Sequence, residues 1–104
     1  MATFKLRQSA ESDLVAIGIE SRELFGEAQM RRYIGQLDNA FRTLAEAPRI
    51  GREVDEVKPG MRRFPQGSHL IFYRLTEAGD VDIVRILHAS MDHEVALEDE
   101  DDLE

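Results

Sequence analysis

Apolar positions change their period along this chain, and each change marks an element. Thr3 to Arg7 alternates, with Phe4 and Leu6 on one side and Thr3, Lys5 and Arg7 on the other, which predicts a half-buried first strand. Ala10, Leu14, Ile17, Ser21 and Leu24 then recur at helical spacing behind Ser9, a candidate N-cap, with Glu11 and Asp13 placed where the helix dipole favours negative charge. A first helix is expected from about Ala10 to Leu24, with Gly26 suited to a stop in the left-handed conformation. Met30, Tyr33, Ile34, Leu37, Phe41 and Leu44 form the clearest stripe and predict a second helix from Glu27 to Ala47, ended by Pro48. The short break between the two helices makes them a hairpin, with this stripe as core.

Beyond Pro48 the period falls to two. Arg49 to Lys58 keeps no sustained period and reads as a loop between Gly51 and Pro59. Met61 to Phe64, Ser68 to Thr76 and Val81 to His88 read as strands, separated by turns at Pro65 to Gly67 and Glu77 to Asp80. Strict alternation sets His69, Ile71, Tyr73 and Leu75 against Leu70, Phe72 and Arg74, and Val81, Ile83, Arg85 and Leu87 against Asp82, Val84, Ile86 and His88. Both faces are therefore partly apolar, as a sheet needs with helices on one side and a partner or loop on the other. The fold class is α+β: an N-terminal strand, a helical hairpin and a three-stranded antiparallel meander, giving an antiparallel sheet backed by helices.

Length allows one domain of 104 residues with a modest core. No apolar run is long enough for a membrane span, the first residues lack a secretory apolar region, and cysteine is absent, so a cytoplasmic protein without membrane contact is expected. The net charge of −8 is unevenly spread: residues 1–91 hold all 13 Lys and Arg with 13 of the acids, and the other 8 acids lie between Asp92 and Glu104. Such a composition self-repels, so residues 1–97 are expected to form the domain and residues 98–104 an acidic, disordered tail, either solubilising or shielding a basic surface.

Glycine-rich phosphate loops, metalloprotease helices and calcium loops are all missing, and no cofactor is expected. His88, Asp92 and His93 lie close together without a third firm ligand, so no metal site is assigned. Ser68, His69 and Asp82, or Ser90, His88 and Asp92, can be written as triads, but neither has a strained elbow to activate its serine.

The helix opening AESDLVAI, the segment LAEAPRIGREVDEVKPGMRRFPQGSHLIFYR and the closing IVRILHASMD resemble the ParE toxins of type II toxin–antitoxin systems, within the ParE/RelE superfamily. The resemblance spans about residues 3 to 97 and rests on PxxGR, PGxRR, GSHxIFYR and RILHxxMD in this order. It implies a ParD-like antitoxin that wraps the toxin and binds operator DNA itself, so that the toxin reaches DNA only through it. It also implies that the free toxin poisons DNA gyrase and catalyses nothing. On this reading Arg49, Arg52, Arg62, Arg63 and Arg74 meet antitoxin carboxylates, and Arg85, His88, Met91 and Asp92 carry toxicity.

The RelE branch supplies the alternative, a ribosome-dependent mRNA endoribonuclease. That chemistry needs a base, an acid and a cation for the phosphorane, for which His69, Tyr73, Arg85 and His88 are the candidates. The neutral body and acidic end offer no long-range attraction to ribosomal RNA, which favours the non-catalytic reading.

Overall fold

The computed structural model describes residues 3–98. In chain order the elements are β1 (Phe4–Leu6), α1 (Gln8–Phe25), α2 (Glu27–Glu46), β2 (Arg52–Glu53), β3 (Arg62–Gln66), β4 (His69–Leu75), β5 (Val81–His88) and α3 (His93–Leu97). The hairpin and the meander fall close to where the periods put them, except that β3 runs on through Pro65 and Gln66, which pair with Leu70 and His69 and shorten the expected turn to residues 67–68.

α1 starts earlier than expected, with Arg7 at the N-cap position and no side chain capping it. The Ser9 hydroxyl instead donates to the Val84 carbonyl at 3.1 Å, tying the helix to the sheet. Ala10, Ile17 and Ser21 are buried, but Leu24 is 65% exposed, so the last member of the expected stripe lies outside the core. Gly26 has φ 91° and ψ 167°, an extended conformation open to glycine rather than the left-handed helical one expected. Its N–H donates to Arg22 and its carbonyl accepts from Met30, so one residue closes one helix and opens the next.

The five strands run in the order β1-β5-β4-β3-β2. β1 is parallel to β5, pairing Phe4 with Val81 and Leu6 with Ile83, so the sheet is mixed and not purely antiparallel as expected. β2 is a two-residue edge strand on β3 within the segment read as loop. Between Tyr73–Ile83 and Phe72–Arg85 the register shifts, leaving Val84 as an extra residue in β5. This bulge corrects the strict alternation: Ile86 joins Val81 and Ile83 beneath the helices, while Val84 and Leu87 face the other way.

Each face of the sheet consequently has a core of its own. Leu37, Phe41, Leu44, Ile71, Tyr73 and Ile83 pack on the hairpin side. On the far side Phe72, Val84 and Leu87 pack with Val54, Met61 and Leu97. Of the two covers expected for the far face, a partner or a loop, the structure shows the second: the chain's own 54–61 loop, joined by α3. Lys58 Nζ donates to the carbonyls of Leu97 (2.6 Å) and Glu98 (3.0 Å), which seats the first part of the acidic segment on the domain. The remaining tail positions, 99–104, lie outside the described residues.

Arg7, expected on a polar face, is buried with Nε and Nη2 at 3.0 and 2.9 Å from Asp82 Oδ2. Parallel pairing of β1 with β5 brings the two together, and the pair offsets the cost of desolvating each charge. Among the described residues no helix is long and apolar enough to cross a membrane.

Candidate functional site

Register across the meander places His69, first in β4, directly opposite His88, last in β5. Their rings meet edge-on, with centroids 5.5 Å apart. Two adjoining hollows, of about 330 and 380 Å³, share Ile17, Glu20, His69 and His88 and form one trough between α1 and this end of the sheet. Leu24, Phe25, Gln29, Tyr33 and Ser68 line one hollow. Asp13, Arg85 and Met91 line the other.

Hydrogen bonds fix the imidazoles. Tyr33 Oη donates to the Gln66 carbonyl at 2.9 Å and lies 2.6 Å from His69 Nδ1. A carbonyl only accepts, so the tyrosine proton is committed there, and His69 Nδ1–H must donate to Tyr33 Oη. Nε2 of His69 is left as an acceptor. His88 is the opposite tautomer, because the Ser90 backbone N–H donates to its Nδ1 at 3.2 Å. Burial, followed by the charge of His88, lowers the His69 pKa below the usual imidazole value, while Glu20 and Asp13 pull it upward. His69 is buried and His88 exposed.

The other candidates do not join this pair. Tyr73 is fully buried, donating to the Pro48 carbonyl at 2.7 Å and accepting from Gly51 N–H at 2.8 Å. Burial raises its pKa, with the Gly51 bond and Arg62 opposing. A Cβ on Gly51 would sit 2.2 Å from the Tyr73 oxygen, so the glycine permits this contact. Arg85 grips Asp13 through Nε (2.7 Å) and Nη2 (2.8 Å) and donates from Nη1 to the Ala96 carbonyl (3.2 Å), clamping α1, β5 and α3 together. Met91 stands 46% exposed at the trough's end, and Asp92 caps α3 by accepting from Val95 N–H.

The arginine set lies elsewhere, around β2, β3 and the loops beside them. Arg62 is mostly buried and donates to the carbonyls of Gly51 (2.7 Å) and Arg49 (3.1 Å) and to Glu53 (3.0 Å). Arg74 donates to the Pro59 carbonyl, and Arg52 lies 3.7 Å from Glu56. Arg49 and Arg63 have no ion pair among the described residues.

His93 packs against Phe72 with the rings tilted and approaches the His88 carbonyl, while Asp92 serves its helix, so His88, Asp92 and His93 do not converge. No group of three metal-ligating side chains occurs among the described residues. Of the two written triads, Ser68 and His69 lose Asp82 to Arg7, and Ser90 and His88 lose Asp92 to α3. Sequence reasoning missed Glu20 and Phe25; it placed Tyr33 in the core stripe, where its ring does pack, but did not foresee its hydroxyl at His69. A hydroxyl inside an otherwise apolar stripe was the available signal.

The sequence profile described as "ParE toxin of type II toxin-antitoxin system, parDE" matches residues 4–93. The chain belongs to the ParE toxin family. It is 39% identical over 89 residues to Toxin ParE1 of Mycobacterium tuberculosis, covering 86% of this chain and 91% of that one. Toxin ParE1 of Caulobacter vibrioides is 34% identical, covering 88% and 93%. Toxin ParE of Escherichia coli is also 34% identical, covering 88% and 89%. Among solved structures, the chromosomal ParDE toxin–antitoxin system from P. aeruginosa aligns with TM-score 0.72 at 20% identity, over 85% of this chain and 96% of that one. The RelBE2 toxin–antitoxin complex of Mycobacterium tuberculosis aligns with TM-score 0.65 at 19% identity, over 84% and 96%. These two support the ParE/RelE fold, and the family match makes the chain a toxin of the type II toxin–antitoxin class.

Proposed function

We propose that this ParE-family chain acts in the cytoplasm, is neutralised by a ParD-like antitoxin and, when free, inhibits DNA gyrase without catalysis. The family match over residues 4–93 carries the reading. Exposed apolar side chains support the partner: Val15, Ile19, Leu24 and Phe25 all stand out from α1, more apolar surface on one helix than a solitary protein benefits from showing. An antitoxin seated in the trough would also cover His88 and Met91, two of the toxicity candidates, so neutralisation would follow from occlusion. Arg49, Arg52 and Arg63 offer a second contact at the β2 edge, where a strand could be added.

Electrostatics favour the non-catalytic reading over ribonuclease. The histidine pair could exchange protons, but Arg85 is engaged by Asp13 and Arg62 by its loop, while Glu20 beside the imidazoles would repel a phosphodiester.

Purified gyrase, ATP and supercoiled plasmid, with the chain alone or with antitoxin, test the proposal beside a translation reaction that monitors message. Cleaved plasmid trapped by the chain, relieved by antitoxin and with message intact, is the expected result. Message cut on ribosomes with plasmid untouched would overturn it in favour of the endoribonuclease.

A further inference from the structure

Arg52 on β2 stands directly across from Arg63 on β3, and Arg63 in turn pairs with Phe72 on β4. Cross-strand partners share a face, so both arginines belong to the far side of the sheet, the side closed by the 54–61 loop and α3. Like charges set opposite each other on adjacent strands repel, and little in the fold relieves this pair. Arg52 has Glu56 at 3.7 Å with both side chains mostly in solvent, and half-buried Arg63 forms no ion pair among the described residues. Exposed Arg49, whose carbonyl accepts from Arg62, adds a third cation at this edge.

We propose that residues 98–104 of this chain lie across the Arg52–Arg63 rung and screen it, an acidic cover tethered to the domain by α3. Place and charge both bring the segment there. Leu97, the last residue of α3, packs with Val54 and Met61, whose backbones are joined by a 2.9 Å hydrogen bond. Those two residues form the rung two positions away from Arg52 and Arg63 on the same ladder, a separation of about 7 Å at roughly 3.3 Å per residue. Lys58 holds the Leu97 and Glu98 carbonyls beside it. Asp99, Glu100, Asp101, Asp102 and Glu104 follow, interrupted by Leu103 alone. Six residues span about 20 Å when extended, more than the distance to be covered. Exposed carboxylate–guanidinium contacts are individually weak, but the tether holds these acids at an effective concentration of about millimolar, and several can share the three arginines. An acidic partner arriving at this edge must then displace the segment.

The test attaches a nitroxide spin label at Leu103→Cys, a unique site because the chain holds no cysteine, and reads the backbone amide signals of the full isotope-enriched chain by NMR. Signals of Arg52, Arg63 and their neighbours on β2 and β3 should lose most of their intensity, while those of Val15 and Ile19 on α1, across the sheet, keep theirs. Intensity should return when ionic strength is raised to about 1 M, where charges are screened beyond about 3 Å. It should return equally in Arg52→Gln/Arg63→Gln, and in a chain carrying Asp99→Asn, Glu100→Gln, Asp101→Asn, Asp102→Asn and Glu104→Gln, substitutions that touch no residue of either core. No loss at Arg52 and Arg63, or a loss that persists once the five acids are amides, would overturn the proposal. Loss seen in enriched chain without a label when spin-labelled chain is mixed with it would assign the contact to a second copy and equally overturn it.

Discussion

On the far face of the sheet, Phe72, Val84 and Leu87 are closed over by Val54, Met61 and Leu97, whereas on the hairpin side Leu24, Phe25 and Met91 stand exposed around His69 and His88. Both regions are apolar in sequence. They differ in whether the chain has a segment to spare. The far face uses a folded loop and one turn of helix, each pinned by polar ties: Lys58 to the carbonyls of Leu97 and Glu98, and Arg85 to Ala96. The trough runs along α1 from Asp13 to the hairpin's tip at Phe25, and among the described residues no element packs over it. An apolar strand face therefore points to a partner only after the loops that can fold back on it have been placed.

Truncation should separate the two regions most sharply. Phe72→Ala removes a ring from a closed core and should cost about 3–5 kcal/mol in denaturant unfolding. Phe25→Ala, with the same change in side chain at an exposed site, should stay within about 0.5 kcal/mol. Equal costs would erase the distinction between a sealed face and an open one.

A smaller effect should appear on acidification, and it belongs to the trough. The folded state holds His69 below its ordinary value, chiefly through burial, so the unfolded chain binds its proton more readily. The contribution of neutral His69 is complete above about pH 6.5, the unfolded value, and declines as pH falls below it. His69→Gln should flatten that part of the stability profile, read by urea unfolding between pH 7.5 and 5. An unchanged profile would move the titration to another group.

Local pattern and non-local contact explain what the sequence made legible. The hairpin follows from the stripe of α2 and the glycine break, and the β4–β5 hairpin from alternation around Gly79, both short-range signals. β1 lies parallel to β5 across some 75 positions, and alternation states which residues share a face but not which strand lies beside them. That pairing hid the Arg7–Asp82 bond, just as the Arg85–Asp13 clamp spans a similar separation. The bulge at Val84 inverted half of β5, because one extra residue reverses every later side chain. β2 and α3 are too short to show a period, and acidity masked the buried Leu97. At the site, His69 and His88 were readable as candidates; their company with Tyr33 and Glu20 required the register of the meander.

The least visible change in stability should accompany a large change in behaviour. Leu24 projects from the last turn of α1 with most of its side chain in solvent, so Leu24→Ser removes little buried area and should shift unfolding by no more than about 0.5 kcal/mol. In a complex with antitoxin seated on the trough, the same leucine would be covered, and serine there should slow association little but speed dissociation. Surface plasmon resonance on immobilised antitoxin reads both rates. A dissociation rate equal to that of the wild-type chain would mean that this rim stays wet in the complex, and the search for the covered surface would move to Val15 and Ile19, which open on a separate groove between α1 and α2.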